Sequence, residues 1–94
     1  MEEKLNKDEI WDLIGFIKIS QTRYNTLKAL EKDFLMPSEI SRRTGIRTSQ
    51  VSSALQKMKA RGLVVCKNEH VRKGRIYMIT EKGSMLLDML DNNI

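Results

Sequence analysis

Five side chains able to hydrogen-bond the edges of bases fall within one short segment: Ser49, Gln50, Ser53, Gln56 and Lys57. Glutamine bonds adenine in bidentate fashion, serine serves a base or a phosphate, and lysine reaches guanine or a phosphate. Cations bracket the segment. Arg42, Arg43 and Arg47 precede it, next to Thr48, and Arg72, Lys73 and Arg75 follow around Gly74. Such groups neutralise phosphates and fix a protein on a nucleic-acid backbone. Each has a bland alternative: a solvated helix face, or a hairpin edge guarded by charge against strand pairing.

Other chemistries find little support. Cys66 and His70 are the only soft metal-type ligands, and a closed zinc site needs four. A cysteine in an apolar strand usually packs as a small core residue. No glycine-rich phosphate loop, nucleophile-plus-base arrangement or carboxylate pair stands out. No catalytic residue, cofactor or metal is therefore expected, and the enzyme reading is poor.

The charge map sharpens the polyanion reading. Net charge is +5 over 94 residues, with 31% charged and 40% hydrophobic residues. Residues 37–62 carry six Lys/Arg against one Glu, and residues 63–83 carry five against two. Residues 1–36 and 84–94 are slightly acidic. Positive charge gathered on the middle of a chain is the electrostatic footprint of a nucleic-acid partner. The longest apolar runs, such as Leu63–Cys66, are far too short to span a bilayer. The opening Met1-Glu-Glu-Lys-Leu5 does not read as a secretory signal, and one cysteine forms no internal disulfide. A cytoplasmic location is expected.

The elements that must position these groups can be read in order. Asp8 caps a first helix with Ile10, Trp11, Leu13, Ile14, Phe16 and Ile17, and Ser20 caps a second reaching about Asp33. Pro37 opens a two-turn helix that Gly45 closes. Thr48 caps the next, which runs to about Arg61 and buries Val51, Leu55 and Met58. Leu63–Lys67 and Arg75–Ile79 form a hairpin, and Thr80 caps the last helix. The order α-α-α-α-β-β-α makes one domain over 1–94, α+β but mainly α: a helix-turn-helix followed by a basic wing.

The carrying residues are Pro37-Ser-Glu-Ile-Ser-Arg-Arg-Thr-Gly-Ile46, Ser49-Gln-Val-Ser-Ser-Ala-Leu55, Gly62-Leu-Val64, Arg72-Lys-Gly-Arg-Ile-Tyr77 and Thr80-Glu-Lys-Gly83. In this order and spacing, over about residues 20–90, the chain resembles the small MarR/ArsR-like winged-helix transcriptional regulators, particularly compact archaeal ones. The resemblance implies a homodimer on double-stranded operator DNA, with helix 48–61 in the major groove and wing 67–75 on the backbone or minor groove. The cysteine and histidine clusters of metal-sensing members are absent.

The terminal segments, 1–19 and 81–94, carry more apolar residues than one buried stripe requires. Ile10, Trp11, Ile14 and Ile17, with Met85, Leu86, Met89 and Leu90, either bury each other within one chain or form a two-fold interface. The dimer is the expectation. A winged helix used as a protein-interaction module is the rival, and it calls for an apolar patch on the recognition helix or wing. The sequence shows none there.

Overall fold

The computed structural model describes residues 6–92, so Met1–Leu5 and Asn93–Ile94, the outer ends of the terminal segments 1–19 and 81–94, lie outside it. Five helices and a two-stranded antiparallel sheet follow in the expected order: α1 (Lys7–Lys18), α2 (Gln21–Ala29), α3 (Pro37–Thr44), α4 (Thr48–Ala60), β1 (Val64–Cys66), β2 (Tyr77–Ile79) and α5 (Glu81–Asp91). The cap of α1 is not Asp8 but Asn6, whose carboxamide accepts from Glu9 N–H at 2.7 Å. Asn and Asp cap equally well, and here the one nearer the helix start is used. Ser20 does cap α2, accepting from Arg23 N–H. That helix stops at Ala29, four residues short of the expected end. Leu30 turns into the core at its C-cap, and Leu35 is then drawn to the sheet.

Leu35 exchanges both backbone bonds with Tyr77, at 3.1 and 2.8 Å, forming an isolated antiparallel bridge. Sequence reading missed it, because one residue has no alternation to reveal it. In register, Val64 faces Ile79, Val65 faces Met78 and Cys66 faces Tyr77. Both strands are shorter than predicted, yet ladder bonds continue one residue beyond β1 on each side: Thr80 N–H to Leu63 O and Lys67 N–H to Ile76 O.

The five helices and the hairpin meet in one core. Leu13 and Ile17 of α1, Leu27 of α2, Ile40 of α3, Val51, Leu55 and Met58 of α4, and Leu86 and Leu87 of α5 are almost wholly buried. The hairpin closes it with Leu63, Val64 and Tyr77. Phe16 staples α1 to the rest, flanked by the guanidinium groups of Arg23 and Arg61 at 4.2 and 4.4 Å from its ring centre. Each such stacked cation contributes about 0.5–1 kcal/mol where exposed.

The start of α5 is set tightly on β1. Thr80 Oγ donates to Gly62 O and accepts from Gly83 N–H. A Cβ at Gly83 would sit 2.3 Å from Leu63 O and 2.9 Å from Ile79 Cγ1, so no larger residue fits without moving the strand. At its far end α5 is held to α2: Asp91 accepts from Tyr24 Oη and from Lys28 Nζ, each at 2.6 Å, and Lys28 also pairs with Glu31. Lys28 holds the Asp91 carboxyl below its ordinary range, and Asp91 in turn raises both Lys28 and the Tyr24 phenol.

The apolar surplus of the terminal helices divides. Ile14, Ile17 and Leu86 lie inside the chain's own core, so they are corrected from interface to core residues. Ile10 and Leu90 pack on its margin. Trp11 and Met85 stay out, 61% and 42% exposed, with Met89 half-buried one turn beyond Met85. Intramolecular burial therefore accounts for part of the surplus and leaves these outer positions unexplained.

Candidate nucleic-acid interface

Gly45 joins α3 to α4 with φ of +79°, a left-handed conformation that glycine adopts at least cost. Its N–H donates to Ser41 O at 2.8 Å. Two hydroxyls then fix the turn: Ser41 Oγ donates to Ile46 O, and Thr44 Oγ donates to Ile40 O while accepting from Ile46 N–H. At the other end of α3, Glu39 reaches back to accept from Met36 N–H at 2.8 Å. A two-turn helix with few bonds of its own is thus held by its side chains and by Ile40 in the core.

Thr48 is the first residue of α4 rather than its cap. Arg47 occupies the cap position and makes no side-chain cap bond. Val51, Ala54, Leu55 and Met58 turn inward, and Ser49, Gln50, Ser53, Gln56 and Lys57 are all exposed. At about 100° per residue these five fall within an arc of roughly 120°, one polar face. Gln56 is not wholly free, since its amide donates to Tyr77 Oη at 3.2 Å. That bond orients one end of the carboxamide toward the sheet.

The cations divide in the same way. Arg42, Arg47, Lys57, Arg72 and Lys73 are exposed and have no acidic partner among the described residues. Arg43 pairs with Asp33 at 2.8 Å, so its charge is partly answered within the chain. Arg75 is the clearest correction. Expected at the wing surface, it is half-buried and donates to Val71 O at 2.7 Å and Glu69 O at 3.2 Å. Its charge serves the loop's own carbonyls.

Sequence reading overlooked Asn68 and the pair Lys59–Glu69. Asn68 bridges the two arms of the wing, and Glu69 meets Lys59 across from α4. The pair lowers the Glu69 carboxyl and raises the Lys59 ammonium, each through the hydrogen bond to the other. An Asn at a strand end six residues before a glycine is a recognisable turn signal. Cys66 is buried with its Sγ 3.5 Å from Asn68 Oδ1, and His70 is exposed on the wing. Among the described residues no cluster of three metal-type ligands forms, and no helix is long and apolar enough to cross a membrane.

The sheet's outer face holds an unexpected feature. Continuing the antiparallel register from Leu35–Tyr77 sets Phe34 opposite Met78, and Met78 faces Val65. Phe34 and Val65 are 57% and 41% exposed, and Lys67 Nζ lies 4.2 Å from the Phe34 ring centre. An apolar row therefore does cross the back of the wing, contrary to the sequence reading.

Against this geometry, the family model for the MarR family matches residues 17–75, from the end of α1 to the wing. The chain belongs to the MarR family. Solved structures agree in fold. TubR of Bacillus thuringiensis serovar israelensis, determined bound to 24 bp of tubC, is similar over 99% of this chain and 100% of its own, with TM-score 0.77 and 14% identity. A MarR-family transcriptional regulator from Silicibacter pomeroyi is 25% identical, with TM-score 0.71 over 88% of this chain and 57% of its own. Mb0332 of Mycobacterium bovis, a homodimeric winged helix-turn-helix DNA-binding domain and possible ArsR-family regulator, gives TM-score 0.71 at 20% identity over 98% of this chain and 88% of its own. No curated protein sequence matches the chain.

Proposed function

We propose that this MarR-family chain is a sequence-specific, duplex-DNA-binding transcriptional regulator acting as a homodimer. The carrying observation is the polar face of α4: five hydrogen-bonding side chains turned outward on a helix whose opposite face is wholly core, flanked by Arg42, Arg47, Arg72 and Lys73, four cations with no acidic partner among the described residues. In this reading α4 enters the major groove, where Ser49, Gln50 and Ser53 meet base edges and Lys57 meets a base or phosphate. Arg42, Arg47 and Thr48 hold the backbone at one side, and Arg72 and Lys73 hold it or the minor groove at the other. The DNA complex and the homodimer named among the structural neighbours support the reading.

The dimer draws on Trp11, Met85 and Met89, with Ile10 and Leu90 at the margin. Full burial of one such side chain is worth about 1.5–3 kcal/mol, so several offset the cost of association. Two-fold pairing sets the recognition helices about one DNA turn, roughly 34 Å, apart and calls for a near-palindromic site. The test is selection of bound sites from random duplexes at stated salt, followed by titration on the best one. Up to ten phosphate contacts per dimer give a log–log salt slope near −0.9 for each contact made. Absence of duplex binding at about 50 mM salt would end the proposal.

One observation favours a second reading, a winged helix that also docks protein: the Phe34–Met78–Val65 row. A Phe34→Asp, Val65→Asp chain that keeps duplex affinity but loses a partner it binds in cells supports that reading. Unchanged behaviour in both respects removes it.

A further inference from the structure

The wing loop is closed by a frame of side-chain bonds. Lys67 N–H donates to Ile76 O at 2.7 Å, and the Asn68 carboxamide continues the closure where the ladder ends. Its Oδ1 accepts from Ile76 N–H at 2.8 Å and its Nδ2 donates to Gly74 O at 3.1 Å, while Asn68 O accepts from Val71 N–H. From the opposite arm, the Arg75 guanidinium spans Val71 O and Glu69 O, and the Glu69 carboxylate is anchored to Lys59 of α4. Arg72 and Lys73 stand at the tip, exposed and outside all of these bonds.

We propose that Asn68 and Arg75 are positioning residues that hold Arg72 and Lys73 in a fixed pose for the phosphates of duplex DNA, an inference that rests on the DNA-binding reading above. Arg75 itself does not touch the duplex. A loop without internal bonds loses backbone freedom on binding, and that loss weakens the complex. Here the freedom is lost on folding, before DNA arrives. The chemistry demands these side chains. Asn68 must donate and accept at once, whereas an aspartate would turn an anion on Gly74 O and a leucine would offer nothing. Arg75 must reach two carbonyls from one planar group, which a lysine's single ammonium does less well.

The test compares Asn68→Ala, Arg75→Ala and Arg72→Ala in the full chain. The first two should lower the thermal midpoint only modestly, because each removes one exposed and one part-buried bond from a surface loop. Both should weaken duplex binding about tenfold at every salt concentration, the scale of one or two lost hydrogen bonds. Their salt slopes should match the unmodified protein, because Arg72 and Lys73 still meet phosphates. Arg72→Ala, by contrast, should flatten the slope by about 0.9 per subunit. In the free protein, backbone order parameters at Arg72 and Lys73 should sit near about 0.85 and drop below about 0.6 in Asn68→Ala. A flattened slope for Arg75→Ala would make Arg75 a phosphate contact and overturn the assignment. Order parameters already below about 0.6 in the unmodified wing would overturn the frame without reference to DNA. Failure of the unmodified chain to bind any duplex would remove the DNA reading, and the positioning role with it.

Discussion

Two surfaces of this domain are left over after the core is made, and they are built from opposite materials. The α4–wing surface presents serine, glutamine and free cations, while the Phe34–Met78–Val65 row lies on the sheet's outer face. Helices α1 and α5 instead leave Trp11 and Met85 exposed and Met89 half-buried. A wet, cationic surface gains little from burial and much from a polyanion. An apolar one gains from burial and is silent to salt. In the proposed reading DNA takes the first surface and a second copy of the chain takes the second, and salt and concentration should then act on them separately.

Both surfaces hang on the joint where α5 meets β1, so the largest effect comes from breaking it. Gly83→Ala should destabilise the fold by about 3 kcal/mol, because a Cβ there overlaps a strand carbonyl that cannot move alone. Denaturant unfolding measures it, and a loss within 0.5 kcal/mol, the usual range for surface changes, would show that α5 shifts freely on the sheet. Next in size is the apolar surface alone. Trp11→Lys with Met85→Glu should yield folded monomers and lower operator affinity by roughly 100-fold, the scale of lost bivalency. An unmodified chain that sediments as a monomer at about 100 μM would return those positions to an unexplained surface.

A smaller effect separates the two kinds of contact within the polar surface. Gln50→Ala or Ser53→Ala should reduce discrimination between good and poor sites by about 1–3 kcal/mol. Lys73→Ala should weaken every duplex alike and flatten the salt slope by about one per subunit. Equal, sequence-independent losses from both groups would mean that α4 only seats the protein and DNA shape supplies the specificity.

The element order was legible because each signal is local. Pro37 at a helix start, Gly45 and Gly62 after helix ends, and Thr80 before the last helix act through their own backbone. So was the inward face of α4, since Val51, Leu55 and Met58 recur at helical spacing. What escaped depends on partners distant in sequence or on direction. Arg75 and Arg72 look alike in a sequence, yet one points into the loop and the other out. The Leu35 bridge exists only because Tyr77 arrives beside it. Ile14 and Met85 are equally apolar, and only the packing of α1 against α5 decides which one is core.

The smallest expected effect is acid sensitivity, and it touches both surfaces at once. Glu69 ties the wing to α4, and Asp91 ties α5 to α2. Both carboxyls are held below their ordinary values, Glu69 by Lys59 and Asp91 by Lys28 and then Tyr24. The unfolded chain then binds protons more readily than the folded one, so stability rises with pH and is lost on acidification. Their contribution is fully present above the ordinary carboxylate range and is lost as pH drops through the lowered values. The pairs lie at the surface, where solvent screens them, so the thermal midpoint should fall only modestly between about pH 6 and pH 3 beyond any general acid effect. Asp91→Asn should flatten that dependence at the α2–α5 junction and leave the wing's backbone order unchanged. Glu69→Gln should flatten it too while loosening the wing. If both variants track the unmodified protein across that range, these ion pairs are incidental, and the two surfaces are held by packing and backbone bonds alone.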